Sequence, residues 1–427
     1  MKLEFGYGRG VQTVTVPDEN VLAVLESNPM DHAHCGEEAV RWAMEHPIGS
    51  APLRKLAKPG QKIAIVTSDI SRPFPTHQVL PAVLDELYAA GVRPEDITLV
   101  FALGSHRPHT EAERLQLAGE RGSEIRCVDS DIHDCVHMGT TCRGTPVDIT
   151  RVVAEADFRV CLGNIEFHYF AGYSGGAKAI MPGASTPEAI QANHRFMVEE
   201  AACAGQLAGN PIREDIEEAG RICGVDFIVN AVLDEHKQIV YAVAGDVTLA
   251  HRDGCAYLDR MYRKVIPQRA DIVLVSQGGA PKDANLYQTQ KALDNAKHAV
   301  KDGGTIILIG ACPEGLGSKK FEDWLTQSPT AHSMVERIGR DFQLGGHKAA
   351  AIGIVLEHAA IDLVSEMDDD FVRSIFLNPQ PDAQTALDAA LVKYGPNATV
   401  LAMPYGGATL PIVLTMPSIS TITSAFS

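Results

Sequence analysis

The sequence predicts an α/β protein made of two doubly wound, Rossmann-like domains with an active-site cleft between them. Apolar runs end abruptly in polar loops, helix-patterned segments separate those runs, and 427 residues exceed what one ordinary core organises. KIAIVTSD (62–69) is a continuous apolar run, as expected of a parallel strand buried on both faces. HQVLPAVLDELYAAGV follows, with Val79, Leu80, Val83, Leu84 and Leu87 at helical spacing and Gly91 as its stop. ITLVFALGSH reads as the next strand and loop, TEAERLQLAGE as a helix, and FRVCLGN as a further strand. VDFIVNAVLDE and HKQIVYAVAGD read as a hairpin, and the alternating start of the chain as another.

A second α/β block starts near Ala270. ADIVLVSQGG is expected as a strand, TQKALDNAKHAVKDGG as a helix ending at the glycine pair, and TIILIGAC as a strand. MYRKVIPQR (261–269) reads as a linker. The expected division is 1–265 for a cofactor-binding and catalytic domain, completed by a C-terminal strand from 400–427, and 266–399 for a substrate-binding domain.

Composition narrows the function classes. Hydrophobic residues make up 45% and charged residues 21%, a globular profile, and the net charge of −17 argues against nucleic acid or an anionic membrane as partner. The nine cysteines include no CxxC pair and fit reduced thiols. With no apolar leader and no run of about 18 apolar residues, the expected location is the cytoplasm.

In doubly wound sheets ligands gather at the carboxyl ends of strands. Three segments lie there. SDISRPFP (68–75) sets Asp69, Ile70, Ser71 and Arg72 in a proline-braced loop, where the guanidinium suits a carboxylate or phosphate. GSHRPHT (104–110) offers His106 and His109. IEFHYFAGYSGGAKAIMPG (165–183) combines His168, the Gly175–Gly176 turn and Lys178, with Phe167, Tyr169 and Phe170 around the histidine. Aligned on the phosphate-cradling pattern G-x-x-x-x-G-K-[ST] from Gly172, the last segment has Ala177 and Ala179 where glycine and a hydroxyl belong. That leaves Lys178 without a nucleotide-triphosphate role, though a nucleotide-dependent transferase is the runner-up reading. QANHRF carries His194 near the end of a helix expected from Thr186. His133, Cys135 and His137 share one strand face at a spacing that matches no zinc pattern. In the second block, Gln288 and Lys291 share a helix face, and GGHKAA adds His347 and Lys348 as further contributors.

Together SDISRP, SHRP, EFHYFAGYSGGAKAIMPG, the Asn193–His194 pair and NLYQTQK resemble the nickel-dependent lactate racemase family, in order and over nearly the whole chain. The resemblance implies a racemase or epimerase of a 2-hydroxy acid using a nickel-pincer nucleotide, a pyridinium mononucleotide with two thiocarboxylate arms. Lys178 would be acylated by one arm, His194 would ligate nickel, and Asp69, Ile70, Ser71, Arg72, Gly175 and Gly176 would line the cofactor. Hydride would pass from C2 to the cofactor and back through a 2-keto acid, with His106 and His168 as paired acid/base groups titrating near neutrality. Arg72, Gln288 and Lys291 would hold the substrate carboxylate. Enzymes of cofactor synthesis would be required as activating partners. Ala177, where some members carry a basic residue, and GGHKAA, where lactate-specific members carry a tryptophan-containing stretch, leave the particular 2-hydroxy acid open. A non-catalytic nickel or cofactor carrier would need Lys178 and His194 but not the two histidines.

Overall fold

The computed structural model describes residues 1–413, which divide into two compact units. One comprises Asn28–Met261 with Ile338–Gln343, and the other Met1–Ser27, Tyr262–Arg337 and the described residues from Leu344 onward. Among the described residues no helix is long and apolar enough to cross a membrane.

The 28–261 unit is built on a six-stranded sheet. Its order is Ile239–Gly245, Phe227–Leu233, Phe158–Ile165, Ile63–Ser68, Ile97–Ala102, Arg126–Asp129. All neighbours are parallel except the 227–245 hairpin. Alternate residues of the strands, Ile63, Ile65, Leu99, Phe101, Val160 and Leu162, join one core with Val79, Leu80, Val83 and Leu87 of the Thr76–Ala89 helix. The intervening Ala64, Val66, Val100 and Cys161 are equally buried on the opposite face. Burial on both faces is why these strands read as unbroken apolar runs.

From Ile63–Ser68 the chain winds outward through Ile97–Ala102 to Arg126–Asp129. It then returns to the other side at Phe158–Ile165 and winds away in the opposite direction. The reversal point lies between Ile63–Ser68 and Phe158–Ile165, where loops leave both carboxyl ends and a crevice opens. Those loops begin at Asp69 and Glu166.

The other unit holds a six-stranded parallel sheet, ordered Asn378–Gln380, Ala360–Val364, Val300–Ile309, Ala270–Ser276, Val400–Met403, Val21–Val24. The Lys2–Tyr7 and Gly10–Thr15 strands form the expected antiparallel hairpin. Its turn lies against the loop leaving the central strand: the Ser276 hydroxyl donates to the Gly6 carbonyl (2.6 Å) and the Gly8 N–H donates to Asp283 (2.7 Å). Any side chain at Gly6 would strike the Gly278 backbone.

Several expectations are corrected here. The first 27 residues and the strands at 400–403 and 410–413 belong with the second block rather than completing the first domain. The linker expected at 261–269 contains a strand, Arg263–Ile266, paired in parallel with Leu410–Val413. The helix expected to run to Gly303 and Gly304 stops at Ala296, and Val300 already begins a strand. Ala292, Leu293 and Ala296 bury one face of that helix, whereas beyond it Val300 pairs with Ala270. The part of the 400–427 segment beyond 413 lies outside the described residues.

Candidate active site

The Asp69–Arg72 loop turns immediately after its strand, with the Arg72 N–H bonded to the Asp69 carbonyl (3.1 Å). Asp69 is buried, while Ile70, Ser71 and Arg72 face outward. Asp69 Oδ2 lies 2.9 Å from His106 Nδ1, and the Ser71 hydroxyl donates to Asp69 Oδ1 (3.0 Å). Because a carboxylate only accepts, His106 donates from Nδ1, so its neutral form has the lone pair on Nε2. Burial alone would raise the Asp69 carboxyl. The hydrogen bond and charge of His106, the Ser71 hydroxyl and the Arg72 charge outweigh it and hold Asp69 below the ordinary value.

His109, the second histidine of that segment, is an anchor. Its Nδ1 donates to Asp129 (2.6 Å), its Nε2 accepts the Ile70 N–H (3.0 Å), and its ring meets Phe101 edge-on. It therefore pins the Asp69 loop to the neighbouring strand.

Beyond Phe158–Ile165, residues Phe167–His168 and Gly172–Tyr173 form a two-residue hairpin. His168 Nδ1 accepts the Ala171 N–H (3.3 Å), which places the ring proton on Nε2. The two imidazoles are therefore oppositely set at Nε2, a lone pair on neutral His106 and an N–H on His168. Tyr169 stacks on His168 (5.3 Å), and the Phe170 ring stands edge-on to both His168 (4.5 Å) and His194 (4.7 Å). Burial, then the charges of Lys178, Arg72, His194 and Arg213, keep His168 well below the ordinary histidine value. The expectation that both histidines titrate near neutrality does not hold for His168.

The chain then makes a tight turn at Gly175 and Gly176, both left-handed (φ 76° and 61°), followed by a short 3-10 turn, Gly176–Ala179. A Cβ at Gly175 would lie 2.9 Å from both Asn230 Oδ1 and the Ile165 side chain. Glycine is required by conformation and by space. Asn230 Oδ1 accepts the Gly176 N–H (2.8 Å), and His251 bonds the Ser174 carbonyl (2.8 Å). Lys178 is half-buried. Enclosure by protein, with the positive charges of Arg213 and Arg72, lowers its amine well below the ordinary lysine value, and Glu166 only partly opposes this. Arg72 is common to both halves of the site, since its charge acts on Asp69, His168 and Lys178.

His194 closes the Pro187–His194 helix, which starts where expected, with the Thr186 side chain as its cap. Its Nδ1 lies 2.9 Å from Asn193 Oδ1. The Asn193 amide is itself oriented, because its Nδ2 donates to the buried Asp215 carboxylate (2.7 Å). An amide oxygen only accepts, so His194 is protonated on Nδ1 and carries its lone pair on Nε2, the state a metal-binding imidazole needs. One imidazole suits a borderline-soft metal as a single ligand, and among the described residues no three His, Cys, Asp or Glu are grouped to hold an ion by themselves.

In the other unit, Gln288 and Lys291 lie on the Leu286–Ala296 helix, whose cap Asn285 accepts the Gln288 N–H (3.1 Å). Gln288 is half-buried and Lys291 exposed. His347 and Lys348 are buried: Lys348 donates to Gln290 (2.7 Å) and sits over the Tyr287 ring (5.2 Å), and Gln290 donates to Asp294 (2.7 Å). His137, on the strand face once considered for metal, pairs with Asp148 (2.6 Å).

Sequence reasoning missed Arg213, Asp215, Asn230 and His251, and gave Asn193, noted beside His194, no role of its own. Asn210-Pro211 signalled a helix start, and Asn210 does cap Pro211–Cys223. Nothing in the sequence shows that Arg213 turns inward.

The comparisons agree with this architecture. Residues 7–205 match the lactate racemase N-terminal domain model and residues 265–410 the C-terminal domain model. The chain is 33% identical over 401 residues to lactate racemase of Thermoanaerobacterium thermosaccharolyticum, covering 91% of this chain and 94% of that one. It is 31% identical over 418 residues to lactate racemase of Lactiplantibacillus plantarum, covering 95% and 98%. The structure of the T. thermosaccharolyticum lactate racemase apoprotein superposes with a TM-score of 0.88 at 31% identity, covering 97% of this chain and 100% of that chain. A Thermotoga maritima protein shares the fold at TM-score 0.64 and 17% identity, covering 88% and 98%.

Two predictions arise from this geometry. Asp215 accepts from Thr141, Thr145 and Asn193, all buried, so Asp215→Ala leaves three donors without their acceptor. Urea unfolding should show a loss of about 3 kcal/mol or more; a loss under ~1 kcal/mol would contradict the network. Secondly, His168 and His251 lie well below the ordinary value and His298 at about 3, chiefly through burial. Below the unfolded histidine value of about 6.5 the unfolded chain binds more protons than the native one. Stability should therefore fall as pH drops from about 6.5 to 5. Exposed His332, raised by Glu357, works the other way over this range. Flat thermal melts across that window would refute the assignment.

Two domain models together span most of the sequence, and curated relatives match it nearly end to end, so the chain belongs to the lactate racemase family, a family of isomerases.

Proposed function

We propose that this protein racemises or epimerises a 2-hydroxy acid, lactate being the first to test, with a nickel-pincer nucleotide tethered to Lys178. The observation that carries the reading is the set of groups at the crevice of the 28–261 sheet: a carboxylate-backed His106, an oppositely protonated His168 and a lysine amine held well below its ordinary value. An amine so lowered gives up its proton more readily than an ordinary lysine, which favours the nucleophile an acylated tether requires. The Gly175–Gly176 turn, left-handed and packed against Asn230, Ile165 and His251, fixes the backbone that leads into Lys178. His194 Nε2 would hold the metal, with Asp69, Ile70, Ser71 and Arg72 lining the nucleotide. When bound, the cofactor supplies a reversible hydride acceptor for the substrate's C2.

The rest is the work of this chain. A substrate hydroxyl gives its proton to His106 Nε2, and Asp69 stabilises the imidazolium that results. The His168 N–H donates to the oxygen. For the opposite enantiomer the hydroxyl would face His168, which takes its proton only once the ring proton has moved from Nε2 to Nδ1, and this second face is why two histidines are needed. Arg72 would hold the carboxylate, a positioning task in which a lost contact misaligns C2. Phe170 and Tyr169 limit water around His168.

The transferase reading loses ground here. In a phosphate-cradling loop the glycine turn runs into a helix N-terminus, whereas this turn leads only into the four-residue 3-10 turn Gly176–Ala179. A carrier would have no use for the Asp69–His106 pair.

The test is chiral analysis of protein co-expressed with cofactor-synthesis enzymes, offered lactate, malate, 2-hydroxyglutarate and phenyllactate. Conversion of at least one enantiomer pair is expected, together with a mass increment on Lys178 that Lys178→Ala abolishes. His106→Ala and His168→Ala should each lower turnover at least ~100-fold while retaining that increment. An active protein with unmodified Lys178, or no conversion of any acid by loaded protein, would refute the reading.

A further inference from the structure

Arg213 is fully buried on the Pro211–Cys223 helix, yet its guanidinium bonds only to backbone. Nε donates to the Ala171 carbonyl (3.1 Å), Nη1 to Gly175 (3.4 Å) and Nη2 to Tyr173. Among the described residues no carboxylate lies within ion-pairing distance of it. Glu217, one turn further along the helix, is taken by Arg252 (2.8 Å). Buried charges are ordinarily paired, because desolvation is costly. Burial presses even this guanidinium down to about 10. A neutral amide could satisfy a carbonyl at far lower cost, so the charge itself calls for a reason. The three carbonyls bracket the turn that leads into Lys178, and Asn210 Nδ2 holds the Phe170 carbonyl (2.9 Å) from the same helix start.

We propose that Arg213 is a positioning residue for Lys178: it fixes the Ala171–Gly175 turn and sets a permanent, unpaired positive charge beside the lysine amine. This rests on the reading of Lys178 as the acylated residue. A lysine in an enclosed site beside a fixed cation gives up its proton readily, as the active-site amines of Schiff-base enzymes do. The groups acting on this amine are Arg213 from the helix, Arg72 from the Asp69 loop and, in opposition, Glu166 from the strand end. His168 and His251, themselves held neutral, lie close enough to feel the lysine. Arg213 would thus keep Lys178 a free amine until it is acylated, in a protein whose net charge of −17 favours protonation.

The apoprotein tests this without any cofactor. Acetic anhydride acylates a free amine, forming an amide and releasing acetate and one proton, and mass spectrometry reads the rate at each lysine as pH is varied. In the unaltered chain Lys178 should reach half-maximal rate well below exposed Lys55 and Lys58 of the same sample. Arg213→Gln should move that midpoint toward theirs and lower the pH 7 rate about tenfold per unit moved. Glu166→Gln should move it the other way. Arg213→Lys keeps a charge but cannot reach three carbonyls, so it should melt at lower temperature with its labelling profile retained. A folded Arg213→Gln with an unchanged profile overturns the proposal, a result that a purely structural arginine would give. If Arg213→Gln does not fold, Arg213→Lys decides: labelling like the exposed lysines overturns it, a retained low midpoint supports it. Unmodified Lys178 in active holoprotein would remove the tether reading while leaving the apoprotein labelling result standing.

Discussion

The site depends on a main-chain constraint: carbonyls at Ala171, Tyr173 and Gly175 converge on one buried guanidinium. Successive residues of an irregular segment seldom find sheet or helix partners, and unpaired buried carbonyls are costly. A planar, multi-donor fork is well suited to gather several of them at once. With the turn so gathered, Gly175 and Gly176 must take left-handed conformations, Asn230 and His251 complete the bonding, and Lys178 emerges at one place. The hairpin that presents His168 lies in the same clamped segment, so the lysine and the histidine share a foundation.

A second principle recurs in the surrounding polar network. At each candidate histidine, hydrogen bonding at Nδ1 decides which role falls to Nε2. Asp69 does this for His106, the Ala171 N–H for His168, and Asn193, itself oriented by Asp215, for His194. His109 uses both its nitrogens for structure, joining Asp129 to the Ile70 backbone. Acids that look like surface charges in a −17 chain are thus drawn inward as orienting groups, while the cations Arg72, Arg213 and Lys178 gather at the crevice. Burial, together with that local excess of positive charge, lowers both the His168 imidazole and the Lys178 amine.

The two sheets make different use of the same winding. In the 28–261 unit the reversal point is left to loops carrying Asp69 and Glu166, and the candidate site residues follow from them. In the other unit the loop leaving the central strand at Ser276 packs against the N-terminal hairpin, where Gly6 and Gly278 meet with no room for a side chain. Its candidate residues, Gln288 and Lys291, stand instead on the helix that follows. The buried Lys348–Gln290–Asp294 chain braces that helix internally.

The sequence by itself determined the strands and their loops. An unbroken apolar run such as 62–68 has few alternatives to a doubly covered strand, and chemistry-bearing residues directly after such runs fall at carboxyl ends whatever the remaining topology. It also determined the motif of glycines around Lys178, because left-handed turns leave a compositional mark. Only the tertiary structure decided where the first 27 residues pack and that residues 263–266 form a strand, since each depends on a partner far along the chain, Val400–Met403 for one and Leu410–Val413 for the other. It alone decided the tautomers, which depend on partners such as Asp69 for His106, and the inward turn of Arg213, whose local pattern is that of any helix-borne arginine. Periodicity records which face is apolar; it carries no record of a charge folded inward to meet carbonyls forty residues earlier in the chain.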